Sequence, residues 1–193
     1  MGCNGGGSLP EESGRPQPWW AKKILPQLLG SKPEQIDVVT VFFGANDAVL
    51  PEPNPSRHVP LASFKSNMSE IVSILNSAGI ENSSIVFITP PPIAQDAWEL
   101  QCKTEKRPVD RSNESVQQYS EAVLQLGRET GIYTVDLYNT LSKEQNLKRF
   151  FWDGLHFTHA GSEYLARLLI PVLETKLDLV HTKYVFPESV IYW

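Results

Sequence analysis

Apolar positions along this 193-residue chain follow two different spacings. Nearly continuous β-branched and aromatic runs occur at 36–43 and 85–89, and a shorter one occurs at 134–137. Such runs are typical of strands that are covered on both faces, as in parallel sheets. Between the runs, apolar residues recur every three or four positions, which predicts amphipathic helices. Strands that alternate with helices predict an α/β fold with a parallel sheet.

The helical spacing predicts four helices separated by loops. The first follows Trp19, where Pro26 is expected to kink the helix or confine it to its first turns, and Gly30 to end it. Thr158 is predicted to be the N-cap of the last helix. The polar stretch that holds Trp98, Cys102 and Arg111 is predicted to be a loop. The apolar positions of the four helices are Ile24, Leu25, Leu28, Leu29; Phe64, Met68, Ile71, Val72, Leu75; Val116, Tyr119, Val123, Leu126; and Tyr164, Leu165, Leu168, Leu169, Val172, Leu173.

The two ends of the chain lack such periodicity. Residues 1–18 are rich in glycine and proline and are expected to form a flexible tail. Residues 19–176 are predicted to form one domain, and residues 177–193 a C-terminal extension over the core or toward a partner.

Composition excludes several classes of function. The formal net charge is -5, and no basic patch appears, so a nucleic-acid partner is not expected. No apolar run is long enough for a membrane span, and no signal peptide is recognisable. The two cysteines, Cys3 and Cys102, lack the spacing of a metal site or a disulfide framework, which favours the cytoplasm.

Polar residues follow the first predicted strand, where ligands bind in open parallel sheets. In Gly44-Ala45-Asn46-Asp47, Gly44 allows close approach of the backbone, and the Asn46 side-chain amide can stabilise a developing oxyanion. Taken alone, these four residues favour a plain turn, since Asn-Asp after Gly is ordinary turn chemistry. Thr89 and the prolines behind it are expected to form a rigid exit from the second strand rather than a pocket wall.

A second candidate feature lies before the last helix, in Asp153-Gly154-Leu155-His156. An acid three residues before a histidine reaches its ring only through a tight turn, which Gly154 permits. An imidazole oriented by a carboxylate is suited to act as a general base. The alternative is a helix-entry turn with a solvated histidine.

The other histidines are weaker candidates for chemistry. His159 has no acid at the spacing that Asp153 has to His156, and it is predicted to be a surface residue. His58 and His181 are predicted to lie in loops, and the sequence shows no partner for either. No second cluster of His, Asp or Glu shows the spacing of metal ligands, so no metal site is expected.

Together these motifs resemble a known family. Gly44-x-Asn46-Asp47 and Asp153-x-x-His156 resemble the third and fifth sequence blocks of the SGNH, or GDSL, hydrolases. Residues 20–26, 42–48, 88–92 and 153–156 resemble the isoamyl acetate-hydrolysing esterase branch, so that the similarity covers residues 19–176.

The resemblance implies a flavodoxin-like three-layer α/β/α fold and a serine esterase that acts on short acyl esters or related lipids without a cofactor. It also implies a role for each motif residue. His156 would be the base that deprotonates the serine, and Asp153 would orient its ring. Asn46 would donate its side-chain amide to the oxyanion, and Gly44 would shape that turn.

Two blocks of the family are not recognisable in the sequence, the nucleophile block and the second block, a strand that ends in a glycine whose N–H joins the oxyanion hole. The family's nucleophile lies in a Gly-Asp-Ser motif after the first strand, and the chain contains no Gly-Asp-Ser. Ser8 and Ser13 follow no predicted strand, so no nucleophile is identifiable. In the family's strand order, 2-1-3-4-5, the three predicted strands are the last three. The sheet is therefore expected to lack its first two strands, as in an N-terminally truncated esterase.

The truncation has consequences for the fold and for activity. The apolar strand that begins at Ile36 and ends at Phe43 would become an exposed edge, which promotes self-association. Without its nucleophile, the chain is expected to have little or no esterase activity. A non-catalytic interaction protein that uses this edge is the main alternative, and a metallophosphoesterase, which needs further His and Asp ligands, is a remote one.

Overall fold

The computed structural model describes residues 17–30 and 33–177. Ser8, Ser13, His181 and nearly all of the predicted tail and extension lie outside these residues. The described helices are α1 (Pro18–Leu29), α2 (Leu61–Ser77), α3 (Gln95–Thr104), α4 (Asn113–Thr130), α5 (Leu137–Leu141) and α6 (His159–Leu177). The described strands are β1 (Val39–Phe42), β2 (Ile85–Ile88) and β3 (Tyr133–Val135). Short 3-10 helices lie at Pro33–Gln35, Asn82–Ser84 and Leu147–Phe150.

The three strands form one parallel sheet in the order β1-β2-β3, which confirms the predicted sheet. Alternate residues of β2 contact opposite layers, because side chains alternate across a strand. Phe87 packs in one apolar cluster and Val86 in another, and both are fully buried. Within residues 17–30 and 33–177, β1 pairs only with β2 and so lies at the sheet edge, as predicted. β1 is shorter than the predicted strand at 36–43, since it begins at Val39 and ends at Phe42.

Helices cover the sheet on both faces, which gives the predicted three layers. Apolar residues of α1, α2 and α4 pack against one face, and those of α5 and α6 pack against the other. Thr158 is the N-cap of α6, since its hydroxyl accepts a hydrogen bond from the Gly161 N–H at 3.3 Å. That prediction is confirmed.

The structure corrects the sequence analysis at three helices. The stretch predicted to be a polar loop contains α3, which buries Trp98 and Cys102. Leu137 begins the short helix α5 instead of ending a strand, because the Asp136 side chain accepts a hydrogen bond from the Asn139 N–H at 3.1 Å. Pro26 does not confine α1, which begins at Pro18 and continues to Leu29. α5 depends on a capping contact, and α3 buries only two residues of its ten, so the spacing of apolar residues reveals neither helix.

Candidate active site

Gly44 lies two residues beyond the end of β1 and next to Pro90, which lies two residues beyond the end of β2. A Cβ atom at this position would lie 3.1 Å from Cγ of Pro90, and the φ angle of Gly44 is +112°. Both the contact and the angle favour glycine. The parallel strands therefore bring the Gly44 turn and the proline segment together at the carboxyl edge of the sheet.

The turn from Gly44 to Asp47 is closed by its own hydrogen bonds. The Gly44 N–H donates to Oδ2 of Asp47 at 3.2 Å, and the Ala48 N–H donates to the Gly44 carbonyl at 2.9 Å. From outside the turn, the side-chain amide of Gln17 donates to the Asn46 carbonyl at 3.5 Å. The predicted turn is thus present, with Asn46 half-buried at its centre.

Asp47 is a fully buried acid within this turn. Burial raises the pKa of Asp47 to about 7, although the N–H groups of Asp47 and Gly44 and the charge of Arg111 act in the opposite direction. The sequence analysis treated Asp47 only as a turn residue. Its burial depends on contacts that are distant in sequence.

Asp153 and His156 form the acid–histidine pair that the sequence predicted. Oδ2 of Asp153 lies 2.6 Å from Nδ1 of His156. Its other oxygen, Oδ1, accepts hydrogen bonds from the N–H groups of Leu155 and His156, each at 2.8 Å. The Asp153 side chain is 4% exposed, whereas that of His156 is 48% exposed. A buried carboxylate therefore orients an imidazole that solvent can reach.

The ionisation of Asp153 is controlled by opposing effects. Burial disfavours the charged carboxylate, but the hydrogen bonds from the His156 N–H, the His156 ring and the Leu155 N–H outweigh it and lower the pKa of Asp153. Asp153 is therefore a carboxylate near neutral pH and can stabilise a protonated imidazole.

The tight turn between Asp153 and His156 packs on the first turn of α3. Gly154 has a φ of +98°, and its carbonyl accepts a hydrogen bond from the Ala94 N–H at 2.9 Å. The Trp152 N–H donates to the His156 carbonyl at 3.0 Å and closes the loop from the other side. The sequence predicted the turn but not its support, because α3 was not predicted.

Trp152 also contacts the histidine through its side chain. The two rings are stacked, with centroids 5.6 Å apart and planes 23° apart. The tryptophan is nevertheless 66% exposed. The sequence analysis missed this contact, although Trp152 directly precedes the Asp-x-x-His motif.

His159, His58 and Thr89 each contact a residue outside the Asp153–His156 pair. His159 is 89% exposed and lies 3.4 Å from Glu163, which confirms a surface position. The sequence shows no partner for His58, but in the structure its Nδ1 lies 2.7 Å from the Val49 carbonyl oxygen. Thr89 is buried, and its hydroxyl accepts a hydrogen bond from the Tyr138 N–H at 2.9 Å.

Two features are absent from the described residues, a metal-binding cluster and a membrane-spanning helix. In residues 17–30 and 33–177, no group of three or more His, Cys, Asp or Glu side chains is arranged to hold a metal ion. In the same residues, no helix combines the length and the apolar character that a membrane span requires.

Fold and motifs together define the class of this chain, a three-layer α/β/α protein with an Asn-bearing turn and an Asp–His pair. The profile of the GDSL-like Lipase/Acylhydrolase family matches residues 1–164. The chain belongs to this family. The match begins at residue 1, whereas the resemblance read from the sequence was predicted to start at Trp19.

Curated relatives agree with this assignment. The chain is 38% identical over 162 residues to the isoamyl acetate-hydrolyzing esterase 1 homolog of Mus musculus, covering 82% of the chain and 65% of the relative. It is 31% identical over 154 residues to the GDSL esterase/lipase WDL1 of Oryza sativa subsp. japonica, covering 79% of the chain and 58% of the relative. The chain thus spans less than two thirds of the length of these relatives.

Solved structures show the same fold. A lipase/acylhydrolase from Enterococcus faecalis matches with a TM-score of 0.62 at 25% identity, covering 83% of the chain and 72% of that protein. The acetylxylan esterase Axe2 from Geobacillus stearothermophilus matches with a TM-score of 0.60 at 21% identity, covering 82% and 68%. These matches confirm the predicted SGNH-type α/β fold.

Proposed function

We propose that this chain carries the acid–base and oxyanion-binding parts of a serine ester hydrolase. His156 is the general base, Asp153 orients it, and the Asn46 side-chain amide stabilises the oxyanion in a turn shaped by Gly44. The observation that carries the proposal is the 2.6 Å contact between the buried Asp153 carboxylate and Nδ1 of His156. Short acyl esters or related lipids are the proposed substrates, in keeping with the names of the mouse and rice relatives.

The proposed chemistry assigns the proton transfers to this pair. The imidazole of His156 accepts the proton of a serine hydroxyl while the serine oxygen attacks the ester carbonyl. The negative charge that develops on the carbonyl oxygen is stabilised by the Asn46 amide. Asp153, held as a carboxylate, stabilises the imidazolium, which then returns the proton to the leaving alcohol and leaves the acyl group on the serine. His156 next deprotonates a water molecule, which attacks the acyl-serine and releases the carboxylic acid and the free serine.

The serine for this reaction is not identifiable in the 193 residues, which contain no Gly-Asp-Ser. We propose that this polypeptide alone hydrolyses esters very slowly. Removal of a serine nucleophile lowers kcat by roughly a million-fold in a well-studied protease, and the residual rate comes from binding and oxyanion stabilisation.

Two measurements on the purified chain test its proposed low activity. Turnover of p-nitrophenyl acetate should not exceed that of the His156→Ala variant, and a fluorophosphonate probe should not label the chain. Turnover that is lost in His156→Ala, or labelling that the same substitution abolishes, would show that an activated serine is present after all.

A chimera tests the roles of the site residues. The N-terminal segment of the mouse relative that precedes the matched region is fused before Trp19 of this chain. We expect ester hydrolysis that His156→Ala and Asp153→Ala abolish and that His159→Ala, a change at the exposed histidine that begins α6, leaves intact. An active chimera in which His156→Ala has no effect would refute the assignment of the base.

A second candidate function uses the exposed sheet edge. Among the described residues β1 pairs only with β2, and the Thr40 side chain on this strand is exposed. An unpaired strand edge can pair with a second copy of the chain. If it does, light scattering should show a dimer that Thr40→Lys dissociates, whereas Ser73→Lys on the exposed side of α2 should not.

We also propose a cytoplasmic location. It is supported by Cys102, a buried free thiol in the described part of the chain, and by the low cysteine content. Imaging of a fluorescent fusion tests it, and an organellar or secreted distribution would contradict it.

A further inference from the structure

Arg111 has the largest side chain among the fully buried residues in the described part of the chain. It is 1% exposed, and its Nη1 donates a hydrogen bond to the carbonyl oxygen of Ala45, in the middle of the Gly44 turn. A buried guanidinium is costly unless its charge and donors are satisfied. The sequence analysis placed Arg111 in a polar loop and gave it no role, so its burial against the candidate oxyanion turn calls for an explanation.

The contact with Ala45 constrains the neighbouring asparagine. A trans peptide is planar, so its carbonyl and the N–H of the next residue point in opposite directions. By holding the Ala45 carbonyl, Arg111 sets the plane of the peptide that joins Ala45 to Asn46. The N–H of Asn46 is thereby directed away from Arg111, and the position of the Asn46 Cα is restricted.

The acidic group that interacts with Arg111 belongs to the same turn. Asp47 is fully buried, interacts electrostatically with Arg111, and accepts the hydrogen bond from the Gly44 N–H. The turn therefore has two fixed points: a carbonyl held by the guanidinium and a carboxyl group held by Gly44. Together these contacts leave little freedom to the residue between them, Asn46.

Arg111 also lies close to the support of the acid–base turn. Its guanidinium carbon is 5.8 Å from the centroid of the Trp98 ring. The backbone nitrogen of Trp98 is the closest atom to the position that a Cβ of Gly154 would occupy, at 2.4 Å. The path from the Ala45 carbonyl through Arg111 and Trp98 to Gly154 thus connects the two halves of the candidate site.

The backbone around Arg111 is itself held in place. The Leu50 N–H donates to the Asp110 carbonyl at 2.8 Å, and the Gln95 side-chain amide donates to the Arg111 carbonyl at 3.4 Å. The next residue, Ser112, caps α4 by accepting a hydrogen bond from the Ser115 N–H at 3.2 Å. Arg111 therefore directly precedes the N-cap of α4, and its backbone is fixed by hydrogen bonds. A positioning residue requires rigid support of this kind.

We propose that Arg111 is a positioning residue that fixes the Ala45–Asn46 peptide and links it, through Trp98, to the turn that carries Asp153 and His156. Its meaning for ester hydrolysis rests on the proposed function, but the coupling itself is a property of this chain and can be measured without substrate.

The test compares two arginines that face the same tryptophan. Arg107 lies 4.4 Å from the Trp98 ring centroid, but its side chain is 32% exposed and forms ion pairs with Glu105 and Asp110, outside the turn. Arg107→Met is therefore the matched control for Arg111→Met. The measurements are the ¹³C′ chemical shift of Ala45 and hydrogen exchange of the amides of Ala48 and His156, both of which donate hydrogen bonds within their turns.

We expect Arg111→Met to shift the Ala45 ¹³C′ signal and to raise exchange at Ala48 and His156 about 10-fold or more, while amides of β2 keep their protection. Arg107→Met should leave all of these at wild-type values. Arg111→Lys, which retains the charge and a donor, should restore the Ala45 signal in part.

Three results would overturn the proposal: an unchanged Ala45 signal in both Arg111 variants, a rise in exchange that is equal in the turns and in β2, or the same effects from Arg107→Met. If Arg111→Met does not fold, two other measurements test the proposal. One is the set of signals and exchange rates of Arg111→Lys. The other is hydrogen exchange of the guanidinium protons in the wild type, where the protons of Arg111 should exchange far more slowly than those of Arg107. Because no ester is used, failure here leaves the proposed hydrolase function standing, and an inactive chimera leaves this proposal standing.

Discussion

A Cβ atom at Gly154 would lie 2.4 Å from the backbone nitrogen of Trp98 and 2.8 Å from the carbonyl oxygen of Ala94. The Gly154 carbonyl is meanwhile bonded to the Ala94 N–H, and its φ of +98° is unfavourable for other residues. The turn between Asp153 and His156 thus requires glycine for two separate reasons, conformation and space. Only the first could be anticipated from the sequence.

Substitution of Gly154 by alanine should therefore destabilise the chain more than an ordinary glycine substitution in a turn. Gly79→Ala is the control, because Gly79 has a φ of +87° and no atom within 4 Å of a built Cβ. We expect Gly79→Ala to cost about 1–3 kcal/mol of unfolding free energy from backbone strain alone. Gly154→Ala should add to this a steric cost of roughly 1–3 kcal/mol, as over-packing does elsewhere.

Urea unfolding of the two variants and the wild type measures both costs. Equal losses of stability would contradict the packing of Gly154 on α3. A Gly154→Ala chain that folds should also show faster exchange of the His156 amide, since this amide bonds to Oδ1 of Asp153 within the same turn.

The sheet was predictable from the sequence because it is encoded in short, local patterns. Every residue of β2 is apolar and buried, as burial on both faces of the sheet demands, and β1 is apolar at every position except the exposed Thr40. The helices that the sequence missed, α3 and α5, lack a comparable signal. In α3 only Trp98 and Cys102 are buried, four residues apart, and polar residues surround them.

The site was predictable only in part for a related reason. The Asp153–His156 pair forms within four consecutive residues, so its geometry follows from local turn chemistry. Arg111 contacts Ala45 across 66 positions of sequence, and Trp98 supports Gly154 across a similar distance. Such contacts depend on the order of the strands and on the loops between them, which neither periodicity nor a short motif specifies.

The hydrogen bonds to Asp153 should make the chain less stable in acid. The folded-state pKa of Asp153 is lowered below its usual value, so the unfolded chain binds its proton first as the pH falls. The stability that the carboxylate contributes is complete above about pH 4 and is lost as the pH falls through the folded-state pKa. Asp153→Asn should remove this contribution, of the order of 1.5–3 kcal/mol for a charge-assisted hydrogen bond, at neutral pH.

Urea unfolding between pH 2 and pH 7 tests the expectation for Asp153. The free energies of wild type and Asp153→Asn should converge in acid and separate above about pH 4. Asp37→Asn, at an exposed aspartate before β1, provides the comparison. A constant difference between wild type and Asp153→Asn at every pH would show that the hydrogen bonds do not favour the ionised form.

Asp47 should produce the opposite pH dependence over a higher range. Burial raises its folded-state pKa to about 7, from a usual value of 3.8, so between these limits the folded chain holds a proton that the unfolded chain has released. Stability from this group is therefore greatest at low pH and decreases as the pH rises toward 7. At about 1.4 kcal/mol per pH unit, the full effect is of the order of 4 kcal/mol.

Asp47→Asn should abolish that decrease, because an amide keeps an acceptor for the Gly44 N–H and has no charge to bury. Unfolding free energies measured from pH 4 to pH 8.5 should fall for the wild type and stay nearly level for Asp47→Asn, so that the variant is the more stable chain above pH 7. Asp96→Asn, at an exposed position in the first turn of α3, should instead follow the wild-type slope. Parallel curves for wild type and Asp47→Asn would mean that Arg111 holds Asp47 ionised throughout this range, with the pair acting as a buried salt bridge.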